Sequence, residues 1–134
     1  MSEGKIRAII KRPDERFGHV TNISCTLENL QRTVGGYIET VTFPGADPKD
    51  TFVIICNEEG LIRKLPFNSV IFNSDYRWMI WDPIPLRGDI IVLGIDEDEF
   101  TDCPLQLADW KKMVFPDMKA ANAAADKFEN GGGE

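Results

Sequence analysis

Residues 51–66 read TFVIICNEEGLIRKLP, and this stretch decides the fold that the sequence predicts. Thr51 to Cys56 carry no charge, and five of these six residues are apolar, without the alternation of a half-buried strand. A run this short is typical of a strand buried on both faces. The polar segment 57–60 predicts a turn, in which Gly60 can adopt a positive φ. We expect residues 61–65 to return beside the first strand as its hairpin partner.

Two further strands are predicted near the start of the chain. Residues 5–11, KIRAIIK, direct alternate apolar side chains to one face and add Ile9 on the other. Turn-forming residues follow at 12–15. Residues 16–23 have a weaker apolar pattern, and we interpret them as a returning strand.

A helix is predicted next, before the pair Gly35-Gly36. Ser24 or Thr26 can cap it, because a hydroxyl oxygen accepts a hydrogen bond from an otherwise unpaired backbone amide. Its apolar residues recur at i, i+3 and i+7, at Leu27, Leu30 and Val34. One of the two glycines is expected in the left-handed conformation that ends helices. This helix should pack on the sheet.

Residues 37–43 form the clearest alternating pattern in the chain. Tyr37, Glu39, Val41 and Phe43 point one way, and neither face is purely apolar. This composition is typical of a strand near a sheet edge or beside a cleft. An exposed strand here can also pair with its copy, so a homo-oligomer is one option.

The remaining elements complete an α+β prediction. Apolar and aromatic strands follow at 67–81, and a last buried strand lies at 90–93. A helix is expected from about 104 to 114, capped by Thr101 or Asp102 and with Pro104 in its first turn. We predict an antiparallel or mixed sheet with a helix packed on one face and a C-terminal helix. Residues 1–115 form a single domain, and residues 116–134 form an Ala-rich, partly flexible acidic tail.

The charge distribution argues against nucleic-acid binding. The net charge is −7, of which residues 1–95 contribute −1 and residues 96–134 contribute −6. Proteins that neutralise phosphates need a basic face, so no direct contact with nucleic acid is expected. The acidic run 96–99 is either a solvated loop or an interface for a basic partner, through Asp96, Glu97, Asp98 and Glu99.

The sequence favours a cytosolic protein without metal or cofactor. No run of about 18 apolar residues is present, so no membrane segment is expected. The first residues lack the apolar core of a signal peptide, and the three cysteines are widely spaced, which predicts reduced thiols. One histidine, His19, and three scattered cysteines cannot build the usual zinc sites. Nucleophilic catalysis would also depend on His19, and no G-x-S-x-G motif is present.

Aromatic and arginine side chains are the main binding candidates. Tyr, Trp and Arg are enriched at binding hot spots, and the same types stack and charge-pair nucleotides. The alternative is that these rings cover the core, with the arginines lying over it. The candidates of this kind are Arg63, Tyr76, Arg77, Trp78, Trp81 and Arg87.

The turn at 57–60 supplies further candidates. Glu58 and Glu59 are adjacent carboxylates, and an enzyme acting on a nucleotide would use one of them together with an arginine. A hairpin tip seldom buries a carboxyl enough to raise its pKa, so solvent exposure is the competing interpretation. Asn57 can bind a ligand or can hydrogen-bond the backbone just beyond it.

Four motifs together resemble a known family. These are LQxxVGGYIE at 30–39, ICNEEG at 55–60, LPFN at 65–68 and IIVLG at 90–94. Over about residues 5–95 the chain is similar to small uncharacterised proteins from bacteriophages and mobile elements, described as a domain of unknown function. In that family the Asn of LPxN, here Asn68, is usually followed by Arg, where this chain has Ser69. Through this motif the resemblance adds Asn68 to the candidates for ligand or partner binding. Residues 73–87 and the acidic end after residue 95 are extensions relative to the family.

The resemblance implies a source and no enzymatic activity or cofactor. Accessory genes of phages and plasmids often encode small acidic proteins that bind host factors stoichiometrically, so the implied function is an analogy. Our leading hypothesis is a non-catalytic counter-defence protein in the host cytosol. It would block a host immune protein or sequester the nucleotide signal of that protein. The alternatives are a small nucleotide-acting enzyme and a housekeeping protein-interaction module.

Overall fold

A computed structural model describes residues 5–45, 47–72 and 83–131 of the chain, with side chains up to residue 127. Within these residues there are nine strands and three α-helices. The elements are β1 (Lys5–Lys11), β2 (His19–Ser24), α1 (Leu27–Val34), β3 (Ile38–Phe43), a 3-10 helix (Pro48–Asp50), β4 (Phe52–Asn57), β5 (Phe67–Ile71), β6 (Ile84–Arg87), β7 (Ile90–Asp96), β8 (Glu99–Thr101), α2 (Leu107–Lys111), β9 (Val114–Phe115) and α3 (Met118–Gly131).

The larger sheet has six strands, in the order β2-β1-β7-β4-β3, with β8 pairing with β7. Its pairs are antiparallel, including the two that join distant parts of the chain, β1 with β7 and β4 with β7. β4 is buried along its whole length, as the uncharged run predicted. β3 lies at the end of the strand order, so the prediction of a strand near a sheet edge is confirmed.

Each face of this sheet is covered by a separate hydrophobic cluster. On one face, Val53 and Ile55 of β4 pack with Leu30 and Val34 of α1. On the other face, the apolar residues of the sheet pack against the smaller sheet and Trp110 of α2. The predicted fold class is therefore confirmed as α+β, with antiparallel sheets and a C-terminal helix. Double coverage also explains why β4 has no alternation of apolar and polar residues.

The smaller sheet has three strands, in the order β6-β5-β9. The pairing of β5 with β6 shifts register between Phe67 and Ser69, so Asn68 is left out of the ladder as a β-bulge. Phe115 pairs with Val70 on the other side of β5. This bulge determines the geometry of the site described below.

The start and end of α1 agree with the sequence. Thr26 Oγ1 accepts a hydrogen bond from the amide of Asn29 at 3.1 Å, and Gly35 ends the helix with φ 83°. The predicted apolar stripe is only partly buried, because Leu27 is 59% exposed. Leu27 is the first residue of α1 and is not part of the cluster that buries Leu30 and Val34.

The predicted hairpin partner of β4 is wrong. Residues 61–64 form tight turns instead of a strand, and the amide of Arg63 donates to Glu59 O at 2.8 Å. Leu61 and Ile62 are 72% and 81% exposed, so their apolar side chains do not enter the core. β4 pairs with β3 and β7, which lie further away along the chain.

The predicted helix over 104–114 is longer than the observed one. α2 spans Leu107–Lys111, and Asp102 does not cap it because its Oδ1 accepts from the amide of Arg7 at 2.8 Å. Val114 and Phe115 form β9, since β-branched and aromatic side chains suit the edge of the smaller sheet. The Ala-rich segment forms α3, in which Ala121 is fully buried.

Candidate ligand-binding site

A fully buried lysine marks the candidate site. Lys11, the last residue of β1, is 1% exposed, whereas lysines are almost never fully buried unless they are paired. Its Nζ donates to Asn68 Oδ1 at 2.9 Å and to the backbone carbonyl of Arg12 at 3.3 Å. Both acceptors are neutral. Within the described residues, no carboxylate lies within ion-pair distance of this nitrogen.

The amide of Asn68 connects three segments of the chain. Its Nδ2 donates to Lys11 O at 2.9 Å and to Gly88 O at 2.7 Å. Its Oδ1 accepts from the hydroxyl of Ser69 at 2.7 Å as well as from Lys11 Nζ. Because Asn68 is the bulged residue of β5, Asn68 and Ser69 both take part in this buried network.

Burial also sets the electrostatics of Lys11. Removal from water penalises the charged form and lowers the pKa of Lys11 below its ordinary value of 10.5. The nearby charges of Glu15 and Asp14 act in the opposite direction but do not cancel the effect of burial. The amine is therefore easier to deprotonate than that of a surface lysine.

This buried network borders a cavity of about 390 Å³, which we call the Lys11 cavity. Its polar lining comes from Lys11, Asn68 and Ser69, and its aromatic lining comes from Phe17, Phe67 and Phe115. Glu15 and the exposed Arg16 also line it. The volume lies within the range of about 300–1,000 Å³ that is usual for small-molecule sites.

The loop 12–18 forms one wall of the Lys11 cavity. Glu15 Oε1 accepts from the amide of Arg12 at 2.8 Å, and Glu15 Oε2 lies 2.8 Å from Nδ1 of His19. The loop can fold back against β1 because Gly18 has φ 95°, and a Cβ there would lie 2.6 Å from the carbonyl of Ile10. Gly18 is thus needed for both the turn and the close approach.

Phe17 is held by contacts from its neighbour in the loop 12–18 and from α2. Its backbone carbonyl accepts from Nε1 of the buried Trp110 at 2.7 Å. The guanidinium of Arg16 and the ammonium of Lys111 lie 5.0 and 5.4 Å from the centre of its ring. The aromatic wall therefore carries two positive charges beside it.

Among the predicted site residues, Asn68 alone lines the Lys11 cavity within the part of the chain that is described. Asn57 and Arg63 instead hold the end of α1. Asn57 Nδ2 donates to Val34 O at 3.0 Å, its Oδ1 accepts from the amide of Glu59 at 2.7 Å, and Arg63 NH1 donates to Gly35 O at 2.8 Å. These contacts explain the VGGYIE and CNEEG motifs as cap and turn chemistry.

The other described candidates lie away from the Lys11 cavity. Glu58 and Arg87 border a different surface depression, and Arg87 NH1 donates to Leu65 O at 3.1 Å. Asp96 and Glu99 pair at the ends of β7 and β8, so the acidic run is a hairpin turn with Glu97 and Asp98 at its tip. The aromatic candidates Tyr76, Trp78 and Trp81, and Arg77 between them, lie outside the described residues.

Sequence reasoning missed Lys11, Ser69, Arg16 and Phe17. Lys11 ends an apolar strand, and lysines at strand ends are normally solvated, so neither its residue type nor its position indicated that it is buried. The available signal was the LPFN motif: an asparagine inside a strand suggests that its amide has a specific partner. The burial of Lys11 depends on the Asn68 bulge and on the loop 12–18, neither of which is visible as a periodic pattern.

The described residues show neither a metal-binding cluster nor a membrane-spanning helix. They contain no group of three or more His, Cys, Asp or Glu side chains arranged to hold a metal ion. Nor do they include a helix long and apolar enough to cross a membrane.

Comparison with known proteins identifies the family. No curated protein and no solved structure matches the chain. Residues 6–115 match the family described as "Domain of unknown function (DUF3846)". This range includes β1, apart from Lys5, through β9, and every residue that lines the Lys11 cavity except Pro116. The chain therefore belongs to the DUF3846 family, a domain of unknown function.

Proposed function

We propose that this protein binds a small anionic ligand that carries a flat ring, of the nucleotide class, in the Lys11 cavity, and that it holds the ligand without converting it. The observation that carries this proposal is the composition of one cavity. Three phenylalanine side chains, a buried polar network and an exposed arginine line the same space.

The aromatic lining supports recognition of a ring. Phe17, Phe67 and Phe115 offer apolar faces, and stacking of a base on an aromatic side chain is worth about 1–3 kcal/mol. Hydrogen-bonding groups of the ligand would meet the hydroxyl of Ser69, which donates to Asn68 Oδ1 and accepts no hydrogen bond from the described residues.

The charge of the cavity supports an anionic group on the ligand. The protein as a whole carries −7, yet Arg16 lines the cavity and Lys111 lies beside Phe17, so two positive charges outweigh Glu15, the one carboxylate among the described lining residues. An arginine can hold a phosphate through two parallel hydrogen bonds. A local positive charge within an acidic protein favours one small anion over an extended polyanion such as nucleic acid.

The arrangement of carboxylates supports binding rather than catalysis. Glu58 lies at the turn after β4 and borders another depression. Glu15 does line the Lys11 cavity, but both of its oxygens already accept hydrogen bonds, from Arg12 and His19. Among the described residues that line the Lys11 cavity, no carboxylate is therefore free to act as a general base.

We propose counter-defence in a phage or mobile element as the biological setting, with sequestration of a host nucleotide signal as the mode of action. The Lys11 cavity supports sequestration more directly than it supports blocking of an immune protein. Blocking would depend on the segment 76–81, outside the described residues, or on the exposed acidic turn 96–99.

The test is calorimetric titration of the protein with ADP. We expect saturable binding in the micromolar range, which corresponds to roughly −8 kcal/mol. Arg16→Gln should weaken binding about tenfold, or about 1.4 kcal/mol, by removing the anion contact. Arg32→Gln is the matched control, because this substitution removes the same charge as Arg16→Gln. Arg32 lies on α1 beside Glu28 and does not line the Lys11 cavity. Equal weakening by both variants, or no binding of ADP by the wild type, would contradict the proposal.

A further inference from the structure

The hydrogen bonds of Lys11 match a neutral amine. A neutral amine has two N–H donors and one lone pair, whereas an ammonium has three donors. The described residues provide two acceptors, Asn68 Oδ1 and Arg12 O, at 2.9 and 3.3 Å. Both donors of the neutral form are thus satisfied, and none of the described residues engages its lone pair. Among the same residues, an ammonium would find no acceptor for its third N–H and no counterion for its charge.

We propose that Lys11 forms a reversible imine with the ligand of the Lys11 cavity, which is then a nucleotide with an aldehyde group, such as one ending in a sugar with a free anomeric carbon. This inference rests on the proposed function, because it assumes that the Lys11 cavity is the ligand site. It adds a covalent bond and a chemical class for the ligand. Such a sugar equilibrates between its closed ring and an open chain that ends in an aldehyde.

The position of Lys11 supports this chemistry. Its side chain is 1% exposed, so bulk water does not compete for the lone pair, and it lines the same cavity as the three phenylalanines. Lysines that are desolvated in apolar pockets are the ones that act as nucleophiles toward carbonyl carbons. The lowered pKa of Lys11, caused mainly by burial, is consistent with the neutral form.

The step balances without an oxidant or reductant. The lone pair of Lys11 Nζ attacks the carbonyl carbon of the open-chain sugar, and the carbonyl oxygen takes up a proton to give a carbinolamine. A C=N bond then forms as the C–O bond breaks. The two hydrogens of the amine leave with the carbonyl oxygen as one water molecule. The reverse reaction releases the unchanged ligand, so holding without conversion is preserved.

The test uses ADP-ribose as the probe, with cyanoborohydride to reduce any imine to a stable amine, and peptide mapping by mass spectrometry to find the adduct. The exposed Lys112 and Lys119, which do not line the Lys11 cavity, serve as internal references for non-specific reaction. We expect the adduct to accumulate on Lys11 at least tenfold faster than on either reference. Excess ADP should suppress labelling of Lys11 and leave Lys112 and Lys119 unaffected.

Two comparisons make the result decisive. Lys11→Arg keeps a long nitrogen-bearing side chain but removes the amine that forms the imine, so labelling of the variant should fall to the rate of the reference lysines. If this variant does not fold, protection of the wild type by ADP tests the same point. Labelling of Lys11 no faster than that of Lys112 would overturn the inference.

The outcomes also separate the two proposals. Calorimetric binding of ADP without selective labelling of Lys11 would overturn the imine and support the binding function. Selective labelling of Lys11 by ADP-ribose without binding of ADP would support the imine and contradict the ADP site. Failure of both measurements would overturn both.

Discussion

Two buried asparagines, Asn57 and Asn68, do different work at two places in the fold. Both are nearly inaccessible, at 5% and 7% exposure, and in both the amide oxygen and the amide nitrogen have hydrogen-bond partners. The partners of Asn57 are backbone atoms of Val34 and Glu59. The Oδ1 of Asn68 instead accepts from two side chains, one of them ionisable. The first asparagine fixes the chain, whereas the second also positions a reactive group beside a cavity.

This comparison changes how the motifs are interpreted. VGGYIE and CNEEG are the most recognisable parts of the sequence, yet their residues meet each other around Asn57 and Gly36. A Cβ on Gly36 would lie 2.9 Å from Asn57 Nδ2 and 3.0 Å from Arg63 NH1. A distinctive motif can therefore report a tight backbone contact rather than a binding site. The following predictions test that distinction.

Asn57→Ala should have the largest effect on stability. It leaves the carbonyl of Val34 and the amide of Glu59 without their side-chain partner, so we expect the free energy of unfolding to fall by about 2–4 kcal/mol. Chemical denaturation measures this loss. Asn22→Ala, at an exposed position of β2, is the control and should change stability by less than about 0.5 kcal/mol. If Asn57→Ala folds but no longer binds ADP, the claim that Asn57 only fixes the chain while Asn68 belongs to the ligand site would be contradicted.

Gly36→Ala should destabilise by about 1–2 kcal/mol, because the added methyl group contacts the ends of the Asn57 and Arg63 side chains. Denaturation of the single variant, of Arg63→Ala and of the double variant forms a thermodynamic cycle. We expect Gly36→Ala to cost less when Arg63 is absent, since one of the two contacts is then removed. Strict additivity would mean that Arg63 does not contribute to the crowding.

Lys11→Met should change the free energy of unfolding at neutral pH by less than about 1 kcal/mol. The variant loses the hydrogen bonds of Lys11, but it also no longer buries an amine that has no counterion among the described residues, and the two effects offset each other. The pKa of Lys11 is lowered in the folded chain, so the unfolded chain binds more protons between that pKa and 10.5. The stability of the wild type should therefore rise with pH through this window, and the variant should lack the rise. Lys119→Met, at an exposed position of α3, should retain it. Denaturation at several pH values measures both curves.

Glu15→Gln should give the smallest effect, under about 1 kcal/mol, because Glu15 is only partly buried. Burial alone raises the pKa of Glu15, but hydrogen bonds from Arg12 and His19 lower it more, so it lies below 4.5. The stabilisation is present above 4.5 and is lost as the pH falls through the folded-state pKa. The variant should lose less stability than the wild type on acidification, and Glu28→Gln on α1 should behave as the wild type.

Local pattern allowed part of the fold to be predicted. The buried strand at β4, the cap at Thr26 and the left-handed Gly35 each follow from a few adjacent residues. The pairing of β4 with β7 could not be predicted in this way, because it depends on residues far along the chain. Helical spacing at 104–114 was misleading, since Val114 and Phe115 pair with β5 instead.

The candidate site was predicted less well than the fold. Asn68 was selected through the family resemblance, although an asparagine inside a strand was itself a sign that its amide has a specific partner. Lys11 was not selected, because its burial results from three separate segments: the end of β1, the bulge of β5 and the loop 12–18. A site assembled by long-range packing leaves little trace in local composition.

The central position of β7 has a consequence for synthesis on the ribosome. β1 and β2 form one antiparallel pair, β3 and β4 form another, and β7 joins them by pairing Ile9 with Val92 and Ile54 with Val92. A nascent chain that has not yet released residues 90–96 exposes the unpaired edges of β1 and β4, which are rich in isoleucine and valine. Such edges are prone to association between chains. Once β7 has left the ribosome, it can pair with β1 and β4 and cover both edges. Translational pauses before that point should therefore favour aggregation.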